Sequence, residues 1–414
     1  MNRYQDILGR INYGLFLCVV ALLPFPQIFL RYACVLWVLS WLLEGRWLQR
    51  PKSLRENRMA IPFLLFAAWY AWKAISGLWA ADHGAWAWQM ERYMTFGLML
   101  PIGIWGVNDR YDMRKISKVL IISCLIAIPF YLIVMTVLYH HREIIDYLQW
   151  KAEWNYGVTS WYSYFANNSS ILKHRLFWCS VELLGAMLAL QLWRHEKKWL
   201  ALTLPVMLST IPLTGSRQSI LTCAALLAVG IIYALPRRYR LRYGVGILVL
   251  GMVIGGGLLK LHPRMQQFNL RAITEMRDVS YEHDVRFNIY GCALQQPSDY
   301  IAYGLGAGQS TAYLLQKYEE NGFDYYIFKH YHAHNQYLEE LMELGIPGLL
   351  LFVLAWLSIP LCARGKGRRM AVFITVLFML NMLTDCMFGK FDGIALWAVG
   401  LVLILLQSYP ERQE

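Results

Sequence analysis

About twelve stretches of mostly apolar residues follow one another along this chain, and a helix of about 20 such residues is what crosses a bilayer. They run over 11–25, 28–43, 60–79, 93–106, 116–138, 175–193, 199–213, 218–235, 244–261, 338–361, 370–388 and 391–408. Backbone groups in lipid must satisfy one another, so the pattern predicts an all-α polytopic membrane protein. Composition agrees: 57% of the 414 residues are hydrophobic and only 16% are charged. That excludes a disordered chain, a coiled coil and a two-domain cytosolic enzyme. Arg3 and Arg10 precede the first apolar run as in a signal peptide, but no small-residue cleavage site follows, so an uncleaved first helix is expected.

Lys and Arg outnumber the acids 39 to 27. With the N-terminus placed in the cytoplasm, the dense basic clusters at 46–58, 110–118, 194–198, 237–242 and 364–369 all fall on the inner side, as the positive-inside rule requires. Both termini are then cytoplasmic, and a nucleic-acid partner is excluded because the basic residues are divided among separate short loops. Two outer segments are long, 139–174 and 262–337, the second lying between spans nine and ten. With no internal repeat, residues 1–414 are expected to form a single integral membrane domain, with function where the long loops meet the helix ends. The first loop is rich in Trp and Tyr, which serve either as interfacial anchors or as stacking platforms for sugar rings. Eight Cys lie mostly singly in apolar runs, without the paired spacing of a disulfide framework or zinc site.

Ionisable residues near the membrane are costly and mark candidate sites. Arg217 opens the eighth span after Thr214-Gly215-Ser216, on the outer side. Its planar donor fork and the helix N-terminus suit phosphate oxygens; snorkelling to headgroups is the other reading. Arg286 begins an amphipathic stretch to Gln295 in the long loop, followed by Gly304, Gly306 and Gly308, whose backbone is open to an anionic ligand. No strand-then-helix unit surrounds these glycines, so a dinucleotide site is rejected. Lys73, inside an aromatic run, either snorkels outward or adds positive charge to an anionic substrate site. Asp385 and Lys390 flank the last two spans, positioned to pair with each other or with another span.

The segment 328–352 is the sharpest feature. His330, His332 and His334 alternate, so an extended backbone would put all three on one face, which raises a metal site. No Cys lies nearby, however, and Glu339, Glu340 and Glu343 on the following helix read as its solvated outer turn. A neutral His serves equally as a general base, and His334, immediately before Asn335 and a span, is the best placed. A capping or interfacial role is the structural alternative.

His334-Asn335, nine residues, Gly345, two residues, Gly348 resembles the H-[NSQ]-x9-G-x-x-[GTY] pattern of bacterial O-antigen ligases, whose superfamily includes O-antigen polymerases and protein O-oligosaccharyltransferases. The architecture is similar too: about twelve spans with a long periplasmic loop before the His motif. The resemblance implies a GT-C-like membrane glycosyltransferase of the inner membrane that moves a glycan from undecaprenyl diphosphate onto a sugar of lipid A–core in the periplasm. It implies no metal or other cofactor, and inversion at the anomeric carbon. Arg217 and Arg286 would bind the donor diphosphate and His334 would activate the acceptor hydroxyl. Lys73 and Asp385 match a basic and an acidic position of the family, and His332 a secondary one.

The chemistry of the residues is compatible. A diphosphate leaving group needs its growing charge neutralised, which fixed guanidinium groups do well in a poorly hydrated site. A hydroxyl nucleophile needs one base, and no carboxylate is placed as a covalent nucleophile unless Asp385 is. Three functions stay open on these grounds: ligation to lipid A–core, polymerisation or protein glycosylation with the same donor, and transport of an anion along an arginine-lined path.

Overall fold

The computed structural model describes residues 3–45, 57–105, 110–141, 172–192, 197–234 and 285–408, with a few isolated positions besides. The described residues form helices, turns and irregular segments, with no strand among them. Among the described residues, seven helices are long and apolar enough to cross a membrane, so the chain is an all-α polytopic membrane protein. Each expected span on described residues coincides with a helix. The span expected over 244–261 and most of the segments 139–174 and 262–284 lie outside them, including the aromatic residues of the first long loop. All eight cysteines are free.

The chain divides into two compact units, residues 1–40 with 110–262, and residues 41–109 with 263–414. The first holds α1 (Arg3–Leu22), most of α2 (Gln27–Glu44), α5 (Met113–His140), α6 (Arg175–Leu192), α7 (Lys197–Leu213) and α8 (Arg217–Ala234). One group of its buried polar side chains is joined in a network, as an apolar interior favours. Asn12 donates to the Trp37 carbonyl and to Ser40 Oγ, Trp37 donates its indole N–H to Tyr111, and the Tyr111 hydroxyl donates back to Asn12.

The second unit holds α3 (Ala60–Ile75), α4 (His83–Trp105), α9 (Arg286–Ala293), α10 (Ser310–Glu320), α11 (Asp324–Lys329), α12 (Gln336–Cys362), α13 (Gly365–Asn381) and α14 (Phe391–Ser408). α14 is apolar on every face and buried almost throughout, so it packs at the unit's centre. Phe66, Phe96, Trp356 and Trp397 meet there around Phe388, which lies in the turn between α13 and α14. α13 ends at Asn381 rather than running to the expected 388, so Asp385 sits in that turn, flanking the last two spans as expected.

α12 is broken at Gly345 (φ 66°, ψ −168°), the first glycine of the His–Asn–Gly motif. The break releases carbonyls from the helical ladder, and a second chain segment takes them up. Leu305 N–H donates to Met342, Gly306 N–H to Glu343, and the Trp72 indole to Leu344. The two backbones approach so closely that a Cβ on Gly345 would lie 2.7 Å from the Ala302 carbonyl, and one on Gly304 2.2 Å from the Glu343 oxygen. Both glycines also have positive φ, which L side chains rarely adopt.

Candidate functional site

Asn335 explains the second letter of the motif. It is the N-cap of α12, its side chain accepting from the backbone N–H of Tyr337 and Leu338 at 3.0 and 3.1 Å. His334, one residue before, is held at φ 48°, a costly conformation for a residue with a Cβ. Its carbonyl and that of Leu383 both lie within reach of the Tyr290 hydroxyl, at 3.3 and 3.0 Å. The backbone N–H of His334 donates to Nδ1 of His332 at 3.1 Å, and the two rings are 4.0 Å apart. The alternating histidines therefore do not share an extended face. His332 and His334 converge, whereas His330 is the exposed C-cap of α11.

Charged residues face this half-buried pair. Asp385 is buried, accepts the Cys386 backbone N–H at 2.9 Å and pairs with Lys390 at 3.1 Å, one of the two pairings expected for them. Arg286, half-buried at the start of α9, donates Nε to the Thr384 carbonyl at 3.2 Å. Arg286 and Tyr290 are four apart on α9, hence on one face. Arg92 of α4 donates to the Gly389 carbonyl, and its guanidinium lies 4.4 Å over the Trp88 ring. Sequence reasoning passed over Arg92; the signal was Trp88 and Arg92 at i,i+4 just before a span. Burial drives the imidazoles down, His334 to about 3 and His332 to about 4. For His334 the charge of His332 adds to this, and Asp385 opposes it. Both rings are neutral at physiological pH.

One nitrogen from His332, one from His334 and one oxygen of Asp385 fall within 4.8 Å of one another, the donor set of a metal site. Its electrostatics run the other way. Nδ1 of His332 already accepts a backbone N–H, Asp385 is ion-paired, and the charges of Arg92, Arg286 and Lys390 all bear on His332. A divalent cation would have to enter against them.

Two expectations are corrected by the buried cluster behind the site. Lys73 does not snorkel: it is fully buried, its ammonium 2.8 Å from Glu343 and 3.5 Å from Glu340. Nor are the acids of α12 a solvated turn. Glu339, Glu340 and Glu343 are all buried; α12 lies along α3 and presents Glu340 and Glu343 to Lys73. Trp69 and Gln336 donate to Glu340 at 2.8 Å each, and Gly308 N–H and Ser310 Oγ donate to Glu343 at 3.0 Å. The glycine-rich loop thus lets backbone approach an anion, but that anion is the protein's own Glu343 and the broken edge of α12. Gln336 relays the cluster to the site, since its Oε1 accepts the backbone N–H of Phe388 at 2.9 Å.

Arg217 lies in the other unit. Ser216 caps α8 by accepting from Ser219 N–H at 3.3 Å, and Thr214 is fastened to α6 through Cys179 at 3.1 Å. Arg217 is half-buried in the first turn of this capped helix. Lys73, Arg286, His332, His334 and Asp385 all belong to the second unit.

The helices and these groups define a multi-pass membrane protein with a neutral histidine pair faced by cations. Residues 200–353 match the family model described as O-antigen ligase, which bears out the resemblance to that superfamily over a stretch containing Arg217, Arg286, His334 and the motif glycines. No curated protein matches the chain.

Proposed function

We propose that the protein transfers a glycan from undecaprenyl diphosphate to a sugar hydroxyl of lipid A–core on the periplasmic side of the inner membrane. The observation that carries this reading is a neutral, half-buried His334 whose carbonyl accepts from Tyr290 of α9, one helical turn from Arg286 on the same face. His334 takes the proton of the acceptor hydroxyl. The oxygen bonds to the anomeric carbon from the face opposite the diphosphate. The bond from that carbon to the phosphate oxygen breaks, and undecaprenyl diphosphate departs with the electron pair, its growing charge met by Arg286. Arg217 is carried into this reading by the resemblance alone, as a second guanidinium for the diphosphate. The negative donor raises the basicity of His334 when it binds, so the base strengthens as the reactants assemble. His332 accepts the His334 N–H and fixes its backbone, and Asp385 faces the imidazolium that forms. No step calls on a metal.

The test is made in cells lacking the gene, complemented with wild type or with His334→Ala. The reading expects full-length glycan to accumulate on undecaprenyl diphosphate with bare lipid A–core, restored by wild type alone. Single repeat units on the carrier or on the core would instead make it a polymerase. Normal glycan in both places would remove glycan transfer altogether.

A further inference from the structure

Three cations from three separate parts of the second unit meet on one short turn. Arg286 of α9 reaches the Thr384 carbonyl, Lys390 reaches Asp385, and Arg92 of α4 reaches the Gly389 carbonyl. The turn is fastened from below by Phe388, buried among aromatic rings, and from the side by Gln336. Its Cys386 thiol is 3.6 Å from Nδ1 of His332, so the turn and the histidine pair are one surface. Asp385 is the carboxylate that faces the pair, and it offsets one of the three positive charges. The local balance therefore calls for a ligand with about two negative charges, which is what a diphosphate diester carries.

Arg92 is built for such a ligand. Trp88, one turn earlier on α4, lies beneath the guanidinium and fixes its plane through a cation–π contact. Gly389 O and Gln89 Oε1 each take one N–H. That leaves about three of the five donors of the fork for oxygens outside the protein. The side chain is exposed, unlike Lys73, whose charge is consumed inside the unit.

We propose that Arg92 is a donor-binding residue that, with Arg286, grips the diphosphate of a lipid-linked glycan beside the histidine pair. The assignment rests on the function proposed above and adds a residue to it. Arg92 lies outside the stretch that matches the family model.

The experiment measures binding of undecaprenyl diphosphate and of undecaprenyl monophosphate to the full-length protein in nanodiscs, for wild type, Arg92→Gln and Arg92→Lys. Wild type prefers the diphosphate. Arg92→Gln weakens the diphosphate by roughly 10- to 100-fold, the worth of one charge-assisted pair, and weakens the monophosphate far less. Arg92→Lys, which keeps the charge but not the fork, falls between. A residue that only staples α4 to the turn would lower thermal stability and leave the preference for diphosphate intact, and that result overturns the assignment. So does wild-type affinity in Arg92→Gln. If wild type itself binds neither lipid, the donor reading fails with it, whereas an unaltered Arg92→Gln beside a binding wild type sinks the role of Arg92 alone.

Discussion

His334 gives its backbone N–H to Nδ1 of His332 across 3.1 Å, and the two imidazoles lie 4.0 Å apart. The bond decides the state of His332, whose acceptor nitrogen must be unprotonated, leaving the proton of the neutral ring on Nε2. Two imidazolium rings at this distance would repel, so at most one ring of the pair takes up a second proton and a positive charge. His334 is the member next to the cap of α12, and it is the one proposed above as the base. Replacement by Ala is predicted to lower transfer by 10²- to 10⁴-fold, the usual worth of a positioned base, with membrane insertion unchanged. The rate of glycan transfer by the purified variant checks this.

The pH dependence follows from the depressed imidazoles. The unfolded chain has ordinary histidines near 6.5, whereas His334 is at about 3 and His332 at about 4 when folded. Between those limits the folded protein binds fewer protons, so this contribution to stability is complete above about 6.5 and is lost as pH falls toward 3. The same shift places the acid limb of kcat/KM below about pH 5. The acid limb of kcat lies higher, because bound diphosphate raises His334. A kcat/KM limb near 6.5 would show that His334 is an ordinary, exposed histidine.

Lys73 is predicted to act from the interior. Lys73→Met leaves the buried Glu340 and Glu343 without their cation, which costs about 3–5 kcal/mol. The variant should therefore unfold at a much lower temperature in detergent. Adding Glu343→Gln should recover part of the loss. A Lys73→Met protein as stable as wild type would mean the carboxylates are protonated and the pair is no ion pair.

The broken helix offers a sharper test of the motif. Gly345→Ala would set a Cβ 2.7 Å from backbone at Ala302 and Tyr303. Gly322 has a similar φ of +69° but open space around it, so Gly322→Ala should cost only the left-handed penalty of about 1–2 kcal/mol. The Gly345 variant should lose far more in thermal stability and in folded yield. Equal losses would show that the close approach to Ala302 and Tyr303 does not govern Gly345.

These cases mark what the amino-acid order makes legible. Apolar runs of bilayer length announce the helices, because lipid leaves the backbone little other choice. His334, Asn335, Gly345 and Gly348 are recognisable as a pattern within a single segment. The partners of Lys73 were harder, since Glu340 and Glu343 lie some 270 positions away and acids at the start of a helix usually face water. A lone lysine inside an apolar run nonetheless demanded a buried acid, and these were available. Arg92 was missed because its one local sign, Trp88 four residues earlier just before a span, is equally that of an interfacial arginine. Its meaning appears only when α4 meets the turn that carries Asp385 and Lys390.

Metal chemistry is predicted to play no part. Treatment with EDTA should leave transfer unchanged, and added Zn²⁺ should inhibit, since His332, His334 and Asp385 offer donors to it and occupying them removes the base. A rate that falls on chelation and returns with one particular metal would reverse the role of the three residues.

The most direct measurement is transfer by purified protein in nanodiscs, supplied with an undecaprenyl-diphosphate-linked glycan and lipid A–core. Wild type is predicted to yield glycan-bearing core and free undecaprenyl diphosphate in equal amounts, and His334→Ala roughly 10²- to 10⁴-fold less of both. Absence of product with folded wild type, or product formed by His334→Ala at the wild-type rate, would contradict the account.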